Sequence, residues 1–234
     1  MIEIGGLQKT TLIDYPGNVA CTVFLVGCNF RCPWCYSPEI VLPDLITRQP
    51  KIHQRDFFDF LESRKGLLAG VVVCGGEPTI HPEIFDFLAK IKSFGFKVKL
   101  DTNGSNPEVL KEILNKNLVQ YIAMDVKSIL VDQKYKEITG SGIDVNLIKE
   151  SINLIKSSDI DYEFRTTVVP TFHSVEDIVQ IAKSIAPAKK YFIQSFRPEK
   201  NIDSRLTSVE PYPEDVMIEI KNKISHLFEV CSVR

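Results

Sequence analysis

The alternation of short apolar segments with amphipathic segments is the feature that most constrains the fold of this chain. Six segments rich in Val, Ile, Phe and Tyr, flanked by Gly, Pro, Asn or Asp, are typical of strands. They span residues 19–26, 71–74, 97–101, 121–126, 162–169 and 190–196. The other segments repeat apolar residues at i, i+3 or i+4, as amphipathic helices do. They span residues 55–65, 82–94, 106–117, 145–158, 174–185 and 213–228.

A strand–helix unit repeated six times predicts an α/β fold with a parallel sheet and right-handed crossovers. Strands that are apolar throughout, such as VVVC at 71–74, fit a sheet that is covered on both faces. Six units are too few for a closed eightfold barrel, so we expect an open sheet or a partial barrel. We expect one domain over residues 1–234, with an N-terminal hairpin on the rim in 1–18, the barrel in 19–200, and a C-terminal helix and strand in 201–234.

The composition limits which kinds of partner the protein can have and which cellular compartment it is expected in. The 234 residues are 44% hydrophobic and carry a net charge of −2, so a large core is expected and nucleic acid is a poor candidate partner. No apolar run reaches the roughly 18 residues of a membrane span, and the N-terminus lacks the apolar region of a signal peptide. We therefore expect a cytoplasmic protein with no membrane partner. In a reducing compartment, closely spaced cysteines more often bind metals or act in catalysis than form disulfides.

Polar and metal-binding residue types follow the predicted strands where each strand ends. In parallel α/β folds, active sites lie at the carboxyl ends of the strands. We therefore predict the active site of an enzyme at this edge. Its candidate residues are Cys28, Cys32 and Cys35 after the first strand, CGGEP (74–78) after the second, DTNG (101–104) after the third, MDVK (124–127) at the end of the fourth, Arg165 on the fifth and Gln194 on the sixth.

Three cysteines stand within eight positions of the segment GCNFRCPWCY (27–36). Three thiolates can ligate three irons of a four-iron cluster and leave the fourth iron open to a small molecule. A structural zinc site completed by a fourth ligand is the alternative. The nearest histidines, His53 and His81, lack a finger-like spacing to any cysteine pair.

At this point the chain resembles a known superfamily. C-x₃-C-x₂-C with an aromatic residue before the last cysteine, followed by GGEP at 75–78, resembles the motifs of radical S-adenosylmethionine (SAM) enzymes. That resemblance implies a partial (β/α)₆ barrel. More narrowly, the segments KTTLIDYPGNVACTVFLVGCNFRCPWC, GGEPT, LDTNG, MDVK and RTTVVP are similar to those of glycyl-radical-enzyme activases, above all the activases of anaerobic ribonucleoside-triphosphate reductase.

The resemblance implies a cofactor set and a reaction. Cys28, Cys32 and Cys35 would bind a [4Fe–4S] cluster, and the amino and carboxylate groups of SAM would chelate the open iron. One electron from the reduced cluster would split SAM into methionine and a 5′-deoxyadenosyl radical. That radical would remove a hydrogen atom from a glycine of the partner, a glycyl-radical enzyme. A flavodoxin or a ferredoxin is the implied reductant.

The resemblance also implies roles for single residues. Gly75 and Gly76 would let the backbone approach the methionine part of SAM, and Glu77 would lie near its amino group. Lys127 and Arg165 are candidates for the SAM carboxylate or ribose. The remaining implied cofactor-binding residues are Trp34, Tyr36, Pro78, Asp101, Thr102, Asn103, Asp125 and, at the adenosine end, Gln194.

Two carboxylates at neighbouring strand ends suggest a further ligand. Asp101 and Asp125 resemble the paired acids of a monovalent-cation site in pyruvate formate-lyase activases, which Thr102 and the backbone of Ala123 would complete. Carboxylates this close repel each other unless a cation lies between them.

Simpler interpretations stay open for several of these residues. Asp101 and Asn103 could form an Asx-type turn, Lys127 could be solvated, and Arg165 could form a structural ion pair.

The chain departs from the activase pattern at two positions. Tyr36 follows the third cysteine where this group often has histidine, and Cys74 precedes GGEP where serine or threonine is usual. A radical SAM enzyme acting on a small molecule, such as a deazapurine synthase, is therefore the alternative among enzymes.

Overall fold

The computed structural model describes all 234 residues, and a single eight-stranded sheet organises them. The strands follow one another across the sheet in chain order. They are β1 (Ile4–Thr11), β2 (Ala20–Leu25), β3 (Gly70–Gly75), β4 (Lys97–Thr102), β5 (Tyr121–Asp125), β6 (Asp161–Val168), β7 (Ala188–Ser195) and β8 (Phe228–Val233). All six predicted strands are confirmed as β2 to β7.

Strands β2 to β8 run parallel, and β1 runs antiparallel to β2. β1 and β2 form the N-terminal hairpin, whose second arm is the first strand of the barrel. The C-terminal strand is confirmed as β8, which pairs with β7. Because β1 and β8 are not bonded to each other, the sheet forms a partial barrel that is open between them.

Nine α-helices connect the strands. Six are the predicted amphipathic helices: α3 (Gln54–Ser63), α4 (Ile84–Ser93), α5 (Pro107–Asn115), α7 (Val145–Lys156), α8 (Val175–Ile185) and α9 (Glu214–Ile224). Sequence patterns missed three short helices: α1 (Pro38–Val41), α2 (Pro43–Ile46) and α6 (Asp132–Thr139). Helices of four residues are too short for an apolar period to show, and α6 buries only three side chains. No helix has the length and apolarity that crossing a membrane requires.

Side chains alternate between the two faces of the sheet. On β3, Val71 and Val73 join the large core beneath the helices, whereas Val72 packs inside the barrel with Tyr15 and Tyr121. The barrel interior also holds charge, because Lys99 and Glu163 are almost fully buried. Aromatic rings therefore fill part of the interior, and charged groups cross it near the carboxyl ends of the strands.

Candidate active site

A cavity of about 460 Å³ opens at the carboxyl ends of the strands. It is lined by fourteen of the sixteen predicted site residues: Cys28, Cys32, Trp34, Cys35, Tyr36, Gly75, Gly76, Asp101, Thr102, Asn103, Asp125, Lys127, Arg165 and Gln194. Glu77 and Pro78 are absent from the lining. The parallel register gathers these residues, since each strand of the barrel ends at the same rim.

The cysteine loop follows β2 and is held by its own backbone and by α6. Gly27 has a φ of 95°, which favours glycine, and it starts the turn out of the strand. The Arg31 guanidinium donates to the carbonyls of Cys28, at 2.6 Å, and Phe30, at 2.7 Å. The Arg31 amide donates to the Thr139 carbonyl at 2.7 Å. The loop is therefore anchored at its centre while its three thiols stay free.

The thiols of Cys28, Cys32 and Cys35 are free and line the cavity. Burial raises the pKa of Cys28 to about 12 and that of Cys32 to about 11. At neutral pH these thiols are therefore neutral unless a positive charge such as a metal ion lies beside them. No three histidine, cysteine or acidic side chains converge closely enough to hold a single metal ion. Three thiols around one cavity are a donor set that fits three irons of a four-iron cluster and leaves the fourth iron open.

Trp34, a residue of the cysteine loop, is buried and lines the cavity. Its ring packs against Phe172, with centroids 5.4 Å apart, and against the edge of His173 at 5.5 Å. His173 in turn accepts a hydrogen bond at Nδ1 from the Val169 amide at 3.1 Å, and its Nε2 lies 2.8 Å from the Lys127 carbonyl oxygen. Sequence reasoning missed His173, which connects the cysteine loop to the end of β5.

Tyr36 joins the cysteine loop to the segment after β7. Its hydroxyl accepts a hydrogen bond from the Arg197 amide at 2.9 Å. A second bond runs from the Asp203 amide to the Pro33 carbonyl, also at 2.9 Å. Tyr36 therefore lines the cavity and also fixes one wall of it.

The two glycines of GGEP let strand β3 pass close to the start of the cysteine loop. A Cβ on Gly76 would collide with the carbonyl of Gly27, and one on Gly75, which has a φ of +120°, would collide with the Leu25 backbone. This close approach allows the Gly76 amide to bond the Leu25 carbonyl at 2.9 Å and the Glu77 amide to bond the Gly27 carbonyl at 2.8 Å. The glycines are thus required by packing between backbones.

Glu77 lies in the wall behind the cavity, whereas the resemblance implies that it faces the amino group of SAM. Its side chain is fully buried, and both oxygens are occupied by donors. Oε1 accepts from the Thr79 amide (3.0 Å), the Thr79 hydroxyl (2.6 Å) and the Thr102 hydroxyl (2.7 Å), and Oε2 accepts from the Asn103 amide (2.6 Å). Burial raises the pKa of Glu77, and these hydrogen bonds act against that rise. The carboxylate thus ties β3 to β4. Pro78 begins a 3-10 turn beside it.

Asn103 continues this connection towards the cysteine loop. Its side-chain amide donates to the Asn29 side-chain oxygen at 2.9 Å and lies 4.0 Å from the sulfur of Cys28. The side-chain oxygen Oδ1 of Asn103 accepts from the Ser105 amide at 2.9 Å. This is the bond of an Asx-type turn, one of the simpler interpretations that the sequence allows. Glu77, Asn103 and Asn29 therefore form a polar link from GGEP to the first cysteine.

A buried ion network occupies the place of the predicted monovalent cation. Arg165 donates through Nη1 to Asp101 and through Nε to Asp125, each at 2.9 Å. Lys127 pairs with the other oxygen of Asp125 at 3.0 Å, and Lys99 pairs with the other oxygen of Asp101. Although burial acts in the opposite direction, Arg165 and Lys127 lower the pKa of Asp125 to about 2.

The cation expectation is not supported, for two reasons. The guanidinium of Arg165 lies between the two acids, so the charge repulsion that motivated a cation is already relieved. The Thr102 hydroxyl donates to Glu77 and accepts from the Gly104 amide at 3.1 Å, so it is committed away from the acids. Lys127 is 17% exposed and paired, which excludes a solvated surface lysine.

Other polar groups that sequence reasoning did not assign to the site complete the lining. Arg234 forms two bonds to Glu163, at 3.0 and 3.3 Å, and lies over the ring of Phe192. Asp14, from the loop between β1 and β2, accepts from the Thr22 hydroxyl at 2.7 Å. Cys74, which the sequence does predict at the site as the first residue of CGGEP, also faces the cavity, and burial raises the pKa of its thiol.

Residues 22–195 match the model of the radical SAM superfamily, and the chain therefore belongs to this superfamily. Membership implies a [4Fe–4S] cluster and SAM as cofactors. The chain is 33% identical over 229 residues to a protein of Methanocaldococcus jannaschii whose assignment as a glycyl-radical enzyme activating enzyme is provisional. That match covers 95% of this chain and 91% of the relative.

The chain is also similar to other proteins, over part of its sequence or in its fold. The chain is 31% identical over 124 residues to 7-carboxy-7-deazaguanine synthase of Haemophilus influenzae, which covers 53% of this chain and 51% of that one. The structure of QueE from Escherichia coli has a TM-score of 0.56 at 17% identity and covers 98% of this chain and 92% of that one. SuiB from Streptococcus suis bound to SAM has a TM-score of 0.65 at 12% identity, and it covers 88% of this chain and 48% of SuiB. At such identities the likeness concerns the fold alone, and this chain spans about half the length of SuiB.

Proposed function

We propose that this protein is a radical SAM activase that installs a glycyl radical on a partner enzyme, with anaerobic ribonucleoside-triphosphate reductase as that partner. The observation that carries the proposal is the end-to-end similarity to a protein assigned to this class, over 95% of this chain and 91% of the relative. The cavity supports it, because it joins three free thiols to a wall of buried positive charge.

When bound, the cluster and SAM would supply the reactive chemistry, which is one-electron cleavage of SAM and removal of a hydrogen atom from a glycine. The chain supplies position and charge. Cys28, Cys32 and Cys35 hold the cluster. Lys127 and Arg165 give the opposite wall a positive character that suits the carboxylate of SAM.

One feature of the chain would keep water from the cluster, and another would give the partner protein access to the cavity. The buried ring of Trp34, packed on Phe172, closes the back of the cysteine loop against water. The gap between β1 and β8 leaves the barrel open on one side, where a loop of a partner protein carrying a glycine could approach. A flavodoxin or a ferredoxin is the proposed electron donor.

The test is an anaerobic reconstitution with iron and sulfide, followed by dithionite and SAM. We expect 5′-deoxyadenosine by chromatography and, with the purified reductase added, a glycyl radical by electron paramagnetic resonance. Cys32→Ser should abolish both signals. Cys231→Ser is the matched control, because Cys231 lies on β8 outside the cavity lining. Formation of 5′-deoxyadenosine with no radical on any glycyl-radical enzyme would refute the activase assignment and retain the superfamily chemistry.

A second candidate is a radical SAM enzyme that acts on a small molecule, as a deazapurine synthase does. It is favoured by the 31% identity to 7-carboxy-7-deazaguanine synthase over 124 residues. Expression in a strain that lacks its own synthase separates the two proposals. Restored 7-carboxy-7-deazaguanine would support this candidate, and its absence together with a glycyl radical in the assay above would support the activase.

A further inference from the structure

The two outer strands of the sheet, β1 and β8, differ in how their free edges are protected. An unpaired edge presents backbone N–H and C=O groups to which another chain can pair, and proteins usually block such edges. At the start of β1 the edge is blocked, because the carbonyls of Ile2, Ile4 and Gly5 accept hydrogen bonds from residues 49–54. Two irregularities in register also interrupt β1, and such irregularities disfavour pairing along an edge.

The edge of β8 has no such protection. Arg234, which follows β8, uses both of its backbone groups on β7: its amide bonds the Ile193 carbonyl at 3.0 Å, and its carbonyl accepts from the Ser195 amide at 2.9 Å. Because alternate residues of a parallel strand bond the same neighbour, the backbone groups of three residues of β8 point away from β7. These residues are Glu229, Cys231 and Val233. No other strand lies beside β8, and neither proline nor lysine interrupts it.

The free edge of β8 leads to the cavity. Arg234 lines the cavity together with Gln194 and Ser195 at the end of β7. Val230, on the same face of the strand as Arg234, is 45% exposed. A further strand added along β8 would therefore pack beside an apolar side chain and end at the cavity that the three cysteines also line.

We infer that the free edge of β8 is the docking strand for the partner enzyme, whose glycine-bearing segment adds to the sheet as an extended strand. This inference rests on the proposed function and states how the same site receives its protein substrate. In this kind of recognition, main-chain hydrogen bonds supply affinity and alternate side chains supply specificity. The three outward-facing residues of β8 offer three donors and three acceptors, and the exposed Val230 favours an apolar side chain on the added strand.

The first test removes an outward amide and measures the affinity of the cluster-loaded protein for the purified anaerobic reductase. Glu229→Pro has no amide at that position, and edge strands accept proline where the amide faces solvent. The preceding residue, Phe228, already has the extended conformation that proline requires before it, with a ψ of 153°. We expect Glu229→Pro to weaken binding about tenfold and to slow formation of the glycyl radical.

Two further variants define the cause. Glu229→Ala keeps the amide, so it should bind the reductase more tightly than Glu229→Pro does. Val230→Pro removes an amide that bonds β7, so it should lower the melting temperature by more than Glu229→Pro does. Iron content and melting temperature are measured for each variant, to show that it is loaded and folded.

A second measurement needs no variant. Hydrogen–deuterium exchange of the cluster-loaded protein, resolved to single residues by mass spectrometry, follows each amide of β8. In the free protein, the amides of Glu229, Cys231 and Val233 should exchange faster than those of Val230 and Ser232. Addition of the reductase should slow exchange of the outward set about tenfold or more.

The outcomes separate the docking strand from the proposed function. Unchanged exchange of the outward amides in a mixture that does form the glycyl radical would overturn the docking strand and leave the activase assignment intact. Absence of both the radical and the protection would refute both. Protection that is present in the free protein and is lost on dilution would assign the edge to a second copy of this chain and overturn the proposal. Equal loss of binding in Glu229→Ala and Glu229→Pro would assign the contact to the side chain and also overturn it.

Discussion

Glu77 is the residue whose replacement tests the described wall of the cavity most directly. Its buried carboxylate accepts four hydrogen bonds, two of them from backbone amides of Thr79 and Asn103. Glutamine has nearly the same shape but only one acceptor oxygen. The two threonine hydroxyls can rotate to accept from the new amide, whereas backbone amides only donate. In either orientation, one of the two backbone amides therefore loses its acceptor.

The expected cost follows from that lost acceptor. A buried donor without a partner costs about 1–3 kcal/mol, and the bonds that remain lose the strengthening that the charge gave them. Burial raises the pKa of Glu77, so the neutral amide also avoids part of the cost of burying a charge. Taking both effects together, we expect Glu77→Gln to lower the free energy of unfolding by about 2–3 kcal/mol.

The assay is urea unfolding of the anaerobic protein, followed by circular dichroism. Glu62→Gln is the matched control, because Glu62 is 60% exposed and pairs with Lys65 at the surface, where such a pair contributes about 0.5 kcal/mol. Glu77→Ala should be less stable than Glu77→Gln, since both backbone amides then lose their acceptor. A loss below about 1 kcal/mol for Glu77→Gln would refute the four-bond account of this carboxylate.

Three further outcomes are expected from other parts of the site. Cys32→Ser should lose iron and sulfide after reconstitution while Cys231→Ser keeps them, and equal iron content in both would contradict the ligand assignment. Gly76→Ala should lower the melting temperature and the iron content together, because its Cβ meets the Gly27 carbonyl; an unchanged melting temperature would refute that steric account. Arg165 and Lys127 hold the pKa of Asp125 at about 2, against the effect of burial and below the ordinary 3.8 of an aspartate. This acid therefore stabilises the fold by about 2 kcal/mol above pH 4 and loses that contribution as the pH falls to about 2. Urea unfolding between pH 4 and pH 2 should therefore decline less steeply for Asp125→Asn than for wild type, and parallel curves would contradict the pairing.

Much of the fold was predictable because its signals are local. A buried parallel strand is apolar throughout, and an amphipathic helix repeats every 3.6 residues, so both patterns can be read within one segment. The predicted strands at 97–101 and 121–126 differ from β4 and β5 by a single residue at the end. The missed helix α6 gave no such signal, since its buried face consists of Tyr135, Ile138 and Thr139.

The sequence predicts which strand ends form the site, but it does not predict which side chains contact each other there. The sequence places Glu77 beside two glycines at the rim, which suggested a side chain that faces the ligand. Its actual direction is decided by donors on Thr102 and Asn103, which are about 25 residues away along the chain and become neighbours only when β4 pairs with β3. Long-range hydrogen bonds of this kind leave no periodic pattern in a sequence.

The charged interior does have a sequence signal, which is the spacing of charged residues on two of the buried strands. Residues two apart on a strand face the same side, so Lys99 shares a face with Asp101, and Glu163 with Arg165. Charged residues that alternate on buried strands must find partners across the barrel, because a lone buried charge is costly. With Arg165 beside Asp125 in the register, this rule favours an internal ion pair over an added cation. The paired acids and the arginine are therefore best considered together, since the arginine removes the repulsion that made a cation plausible.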